Sequence, residues 1–149
     1  MRAADAASAA PGPALDLLRG LPMFAPLPVV AIERLALDAR AVHVAAGGAV
    51  FRQGDPGAAF YVVAGGAVDV AVDGAAVSRL DAGESFGEIA LLRDSPRTAT
   101  ATARESTDLW AVERDDFLAA VTGHAVAGQA AEHVVVSRLA RARPALGTL

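Results

Sequence analysis

From Ala41 onward the apolar residues of this chain fall two apart rather than three or four. Val42 and Val44 alternate with smaller or polar neighbours, Val50 follows, and Val68, Val70 and Val72 alternate with Ala67, Asp69, Ala71 and Asp73. A two-residue period places one apolar row on one face of an extended strand, so it commits the segment to half-buried β-structure. Glycines at 47–48, 54, 57, 65–66, 74, 83 and 87 divide the region into short strands joined by turns. Asp73-Gly74 has hairpin chemistry, and Gly54-Asp55-Pro56-Gly57 is turn-forming. Evenly spaced short strands of this kind predict a barrel, sandwich or roll. The pentapeptide Ala-Gly-Gly-Ala-Val, at 46–50 and 64–68, reads as two similar turn-to-strand transitions in an Ala/Gly-rich chain. Thr98, Thr100 and Thr102, alternating with Ala99, Ala101 and Ala103, continue the strand signal, and Asp108 to Val112 adds a strand carrying Trp110.

Helical spacing flanks this region. Residues 1–13, Ala-rich and ending in Pro11-Gly12-Pro13, read as a flexible tail. Leu15, Leu17, Leu18 and Leu21 predict a short helix stopped at Gly20 and Pro22. A second helix fits Pro28 to Asp38, with Val29, Ile32, Leu35 and Leu37 as its apolar stripe and proline in its first turn. Phe117, Leu118 and Val121 follow an acidic first turn of Glu113, Asp115 and Asp116, which suits a helix dipole. A last helix is expected from Ala125 to about Arg141, with Val134, Val135 and Leu139 on its apolar side, ended by Pro144. Helices, then strands, then helices describe an α+β domain over 14–142, with 143–149 as a C-terminal tail.

The 149 residues fit one domain with a real core, and 54% hydrophobic with 20% charged residues is a soluble globular composition. A net charge of −4 argues against a nucleic-acid partner. Arg138, Arg141 and Arg143 form the one basic cluster, and all 13 basic residues are Arg, a bias matching a GC-rich bacterial genome. With no Cys, disulfides and Cys-ligated metals are excluded. Neither a secretory signal nor an 18-residue apolar run is found, so no membrane insertion is expected and the default compartment is the cytoplasm.

Glu84 to Thr100 carries the chemistry. Gly87 permits close backbone approach to a ligand, and the amides of residues 88 to 90 open a helical turn suited to an anion. Arg97 offers a planar fork of donors for phosphate oxygens, and Thr98 adds a hydroxyl and an amide. Glu88 cannot bind phosphate, but beside one it is a natural acceptor for a sugar hydroxyl. On spacing alone a plainer reading stands equally: Glu88 and Arg97 as a surface ion pair, with Gly87 ending a strand.

The segment Phe86-Gly87-Glu88-Ile89-Ala90-Leu91-Leu92, four further residues, then Arg97-Thr98-Ala99, resembles the phosphate-binding cassette of the cyclic nucleotide-binding domain family. Val50-Phe51-Arg52-Gln53-Gly54-Asp55 and Phe60-Tyr61-Val62-Val63, with Gly66, are similar to the family's first strands, and the likeness runs over about residues 21–141. It implies an eight-stranded antiparallel β-roll, jelly-roll-like, with N-terminal helices, a short cassette helix and C-terminal helices. It also implies a non-catalytic regulatory domain whose ligand is cAMP or cGMP, with no cofactor. By position Glu88 would take the ribose 2′-hydroxyl and Arg97 the cyclic phosphate. Phe86, Gly87, Ile89, Ala90, Thr98 and Ala99 complete the site, and Val70 or Val72 packs against the base. The C-terminal helix would close over the base and transmit binding. The implied partner is an effector or transporter domain, in cis or in trans, of the bacterial type.

Several residues depart from the family pattern. Ala58 stands where relatives often have an Asp that orients the phosphate arginine, and Ala101 is smaller than the branched residue common there. The last helix has no aromatic lid, leaving His133, Val136 or Leu139 for the base. Thr98 resembles the arrangement of cGMP-preferring kinases, though bacterial relatives with Thr or Ser also take cAMP, and the reading leans slightly to cAMP. Trp110 is expected in the core, Asp115-Asp116 as a helix-start pair, and His43, His124 and His133 lack metal-ligand spacing. The alternative to a sensor is an interaction module that kept the fold and lost the ligand. A cupin-like metalloenzyme would need clustered His and carboxylate ligands. A helix-turn-helix after the last helix is not expected, because 142–149 is too short for one.

Overall fold

The computed structural model describes residues 11–142. Eight strands form two four-stranded antiparallel sheets that face each other: β1 (Arg40–Val44), β8 (Thr107–Glu113), β3 (Ala59–Gly65) and β6 (Ser85–Phe86) in one, β2 (Ala49–Phe51), β7 (Thr100–Ala103), β4 (Ala67–Val72) and β5 (Ala75–Asp81) in the other. This is the β-roll that the two-residue period and the family likeness imply. The β4–β5 hairpin turns on Asp73-Gly74, where φ is +52° and +82°. Positive φ at both central residues gives the turn the twist its strands need, and Asp and Gly tolerate that region. The Gln53 side chain closes over it, donating to the Asp73 carboxylate at 2.8 Å and accepting from its amide at 2.9 Å.

Helices pack at one side of the roll: α1 (Pro11–Arg19), α2 (Val29–Asp38), α3 (Glu88–Leu92), α4 (Arg114–Thr122) and α5 (Ala125–Ala142). The backbone of α1 takes in Pro11-Gly12-Pro13, which composition assigns to the tail; a first helical turn loses nothing by proline's missing N–H. Residues 1–10 and 143–149 lie outside the described residues. In α2 the buried face is Ile32, Leu35 and Ala36, while Val29 and Leu37 of the expected stripe are exposed. Leu37 lies two residues after Leu35, on the opposite side of a 3.6-residue turn.

Apolar burial divides between two clusters. One, under the helices, joins Leu18, Phe24, Ile32, Leu35, Phe60, Val62, Trp110, Val112, Phe117, Ala127 and Ala131. Its rings interlock, with Phe60 stacked on Phe117 at 4.7 Å and Phe24 edge-on to both. The other fills the roll with Val63, Val68, Leu80, Phe86, Ala101 and Leu109. Trp110 is buried as expected, and Ala101 is fully enclosed despite its size.

Candidate functional site

The cassette begins where β6 ends. Gly87 has φ +95° and caps α3, and a β-carbon there would sit 3.1 Å from Arg97 Nη1 and 3.2 Å from the Ala59 carbonyl oxygen. Both the conformation and the space call for glycine. The turn then buries Glu88, Ala90 and Leu91. After α3 the chain does not run straight into a strand. Thr98 and Ala99, expected as extended, form a bend, and β7 starts at Thr100. The cause is backbone pairing across the loop: Arg97 N–H donates to Asp55 O at 2.7 Å, and Gly54 N–H donates to Arg97 O at 2.8 Å.

One cavity results, lined by all eight residues singled out in the sequence: Phe86, Gly87, Glu88, Ile89, Ala90, Arg97, Thr98 and Ala99. Phe51, Val70, Val72, Val77, Ser78 and Leu80 form its far wall, and Arg138 with Leu139 reach it from α5. Val70 and Val72, the alternatives for base packing, therefore both face it. Of the three lid candidates Leu139 lines the cavity, whereas His133 and Val136 are exposed. Helical spacing explains the choice, because Leu139 is one turn beyond the fully buried Val135.

Glu88 and Arg97 are not partners in a surface ion pair. Both are buried, at 1% and 4% exposure. Glu88 Oε1 accepts from Arg138 Nη1 at 2.6 Å, and Arg138 Nη2 donates to the Ser85 carbonyl at 2.7 Å. Arg97 donates from Nη1 to Gly87 O at 2.7 Å and from Nη2 to Ala59 O at 2.6 Å, and its guanidinium lies 4.0 Å above the Phe51 ring. These carbonyls and the ring fix the guanidinium without a carboxylate at position 58, which is Ala58 here. Burial pushes the Arg97 pKa down from its ordinary value, opposed by Tyr61, Glu88 and Asp55. An arginine has enough reserve to stay charged at neutral pH. Its Nε is a buried donor with no partner among the described residues. Leaving such a donor unmet costs about 1–3 kcal/mol, more for a charged group.

The exposed end of the cassette is tied down as well. Arg93 donates to both Glu132 oxygens on α5, at 2.8 and 2.7 Å, and Arg114 of α4 holds Asp94 at 2.6 Å. Arg138, Phe51 and Ser78 were not singled out from sequence as site residues. Arg138 carried a signal: it is three residues past Val135, on the same helix face.

A sheet roll with one cavity at a glycine-capped turn, holding a buried carboxylate and a buried guanidinium, defines a small-ligand-binding module. The family model for the cyclic nucleotide-binding domain matches residues 41–124, and the chain belongs to that family. The chain is 44% identical over 73 residues to a cAMP-dependent protein kinase regulatory subunit of Debaryomyces hansenii, covering 48% of this chain and 16% of that one. In fold it is similar to cAMP-bound PfPKA-R, with a TM-score of 0.82 at 18% identity over 94% of this chain and 49% of that one. The regulatory domain of Toxoplasma gondii PKA with cAMP gives a TM-score of 0.76 at 25% identity, over 87% and 51%. The chain thus spans about a sixth of the curated relative and half of each of these structures. No helix among the described residues is long and apolar enough to cross a membrane.

Proposed function

We propose that this regulatory domain binds a 3′,5′-cyclic nucleotide in the 86–99 cavity and passes the event on through α5. The carrying observation is Arg97: a buried guanidinium in the cavity lining, fixed by two carbonyls and an aromatic face. A cyclic phosphate would bring a matching charge to that wall of the cavity. Glu88 lies on the same wall as the acceptor for the ribose 2′-hydroxyl, and Gly87, Ile89, Ala90, Thr98 and Ala99 line the space between. The base would lie against Val70, Val72 and Leu80 under Leu139, with the hydroxyls of Thr98 and Ser78 as its polar neighbours. Our reading favours cAMP, the ligand named for two structures of similar fold. Held carbonyls in place of an Asp at position 58 speak against a degenerate, ligand-free module.

The output would be a regulated effector in the cytoplasm, in cis or in trans. A kinase partner, as the regulatory subunit of Debaryomyces hansenii implies by its name, and a bacterial transporter domain are the two forms to separate. Titration calorimetry with cAMP and cGMP tests the reading directly. One-to-one binding is expected, tighter for cAMP, and no heat with either nucleotide at high concentration would refute it.

A further inference from the structure

We propose that Ser106 is a nucleophile that takes an acyl group from small activated donors of the acyl phosphate class, with His43 as its base and Asp108 as the residue that positions the base. None of the three lines the 86–99 cavity, and the inference does not rest on the cyclic-nucleotide reading. His43 of β1 stands directly opposite Asp108 of β8. Ser106 comes two residues before Asp108 and so falls on the same face of the ladder. His43 Nδ1 is 2.8 Å from Asp108 Oδ1, and Ser106 Oγ is 3.2 Å from His43 Nε2. An ionised carboxylate only accepts, so Nδ1 carries the imidazole proton and Nε2 keeps its lone pair for the serine O–H. A cross-strand His–Asp pair needs no third member. The hydroxyl on the far ring nitrogen completes the nucleophile, base and orienter order of a Ser-His-Asp triad.

The backbone that carries the serine is held as well. Thr107 is buried, its hydroxyl accepting from the Ala67 N–H at 3.2 Å and donating to the Glu105 carbonyl at 2.7 Å. Gly66, at φ +91°, packs so closely that a β-carbon there would sit 2.5 Å from the Ser106 carbonyl oxygen. Ser106, His43 and Asp108 themselves are exposed, so a donor reaches the hydroxyl from solvent. An open face offers little binding energy, so the donor must bring its own reactivity, which limits the class to acyl groups on good leaving groups. In the step, Oγ attacks the carbonyl carbon as its proton passes to Nε2. The bond to the leaving phosphate breaks, the electron pair departs with the phosphate, and Nε2 returns the proton to it or to solvent. An ester on Ser106 is the product, and Asp108 stabilises the imidazolium formed on the way. The chain has no Lys, so no side-chain amine competes for the acyl group.

The test treats the full chain with acetyl phosphate and follows phosphate release, with peptide mass spectrometry after acid quenching to locate the acetyl group. Ser106 is expected to acetylate at least about tenfold faster than any other serine, and His43→Gln to slow it by about a hundredfold, the lower end of what a positioned base contributes. Asp108→Asn should slow it by about tenfold, with the melting temperature unchanged because the residue is exposed. Ser106→Ala should remove both the label and the phosphate release above buffer. Acetylation of Ser106 no faster than of other serines, together with phosphate release that survives Ser106→Ala, overturns the proposal. So does a Ser106 rate that is unchanged in His43→Gln or in Asp108→Asn.

Discussion

Arg97→Ala separates a structural arginine from a ligand-binding one, because the two roles predict opposite patterns of loss. The side chain makes two short bonds to the carbonyls of Gly87 and Ala59 and covers the Phe51 ring. Bonds to a charged donor contribute roughly 1.5–3 kcal/mol each, so truncation removes about 3–6 kcal/mol of interaction. Against this stands the several kcal/mol that burying a guanidinium costs, which truncation recovers. The opposing terms nearly cancel, and stability should change by no more than about 2 kcal/mol in either direction. Nothing cancels on the ligand side: the phosphate keeps its charge and loses its partner. Binding should weaken by about 2–5 kcal/mol, roughly 30-fold to several thousand-fold. Urea denaturation and cAMP titration of the same preparation give both numbers. A folded variant that binds cAMP like wild type would refute the phosphate role. A variant that no longer folds would show that the carbonyl bonds, not the ligand, account for the arginine.

Leu139→Ala should weaken cAMP binding by about 1 kcal/mol, roughly fivefold, through lost apolar cover, whereas Val136→Ala on the exposed face should change it by less than twofold. Gly74→Val should cost about 1–2 kcal/mol in urea melts, because a β-branched residue resists the φ of +82° that the hairpin requires. Asp116 has its pKa raised, first by burial and then by Asp38, Asp115 and Glu113. A carboxyl raised on folding favours the native state when protonated, so its contribution is present at low pH and lost as pH rises through the folded pKa. Asp116→Asn should therefore melt at a slightly higher temperature than wild type at pH 7, with the gap closing toward pH 3. A gap that widens on acidification would contradict the sign.

The β-roll was legible because its signals are local. Alternating valines fix which strand face is buried, and Asp73-Gly74 supplies a turn that needs no distant partner. The eight cassette residues lie within one short stretch of sequence, which is why they could be named together and why they line one cavity. What escaped depends on packing between segments far apart. Arg138 meets Glu88 across 50 residues, and its helical phase relative to Val135 marks the face it lies on but not the partner it meets. Phe51 reads as one more strand residue until the Arg97 guanidinium is found above its ring. Leu37 misleads in the other direction, an apolar residue whose helical phase turns it to solvent. Thr98 follows an alternating pattern, yet the Gly54–Arg97–Asp55 backbone pairing bends the chain there.

Strand β3 belongs to both apolar clusters. Phe60 and Val62 point under the helices, while Tyr61 and Val63 point into the roll, as a two-residue period dictates. Neither cluster can loosen without exposing the back of the wall it shares with the other, so the helical layer and the roll should melt as one cooperative unit. The amides of β3 are then expected among the slowest to exchange with deuterium. The same strand carries the Ala59 carbonyl that holds Arg97. The carbonyl that holds Arg97 thus sits on the element expected to open last, so loosening elsewhere in the fold should leave the Arg97 wall of the cavity in place.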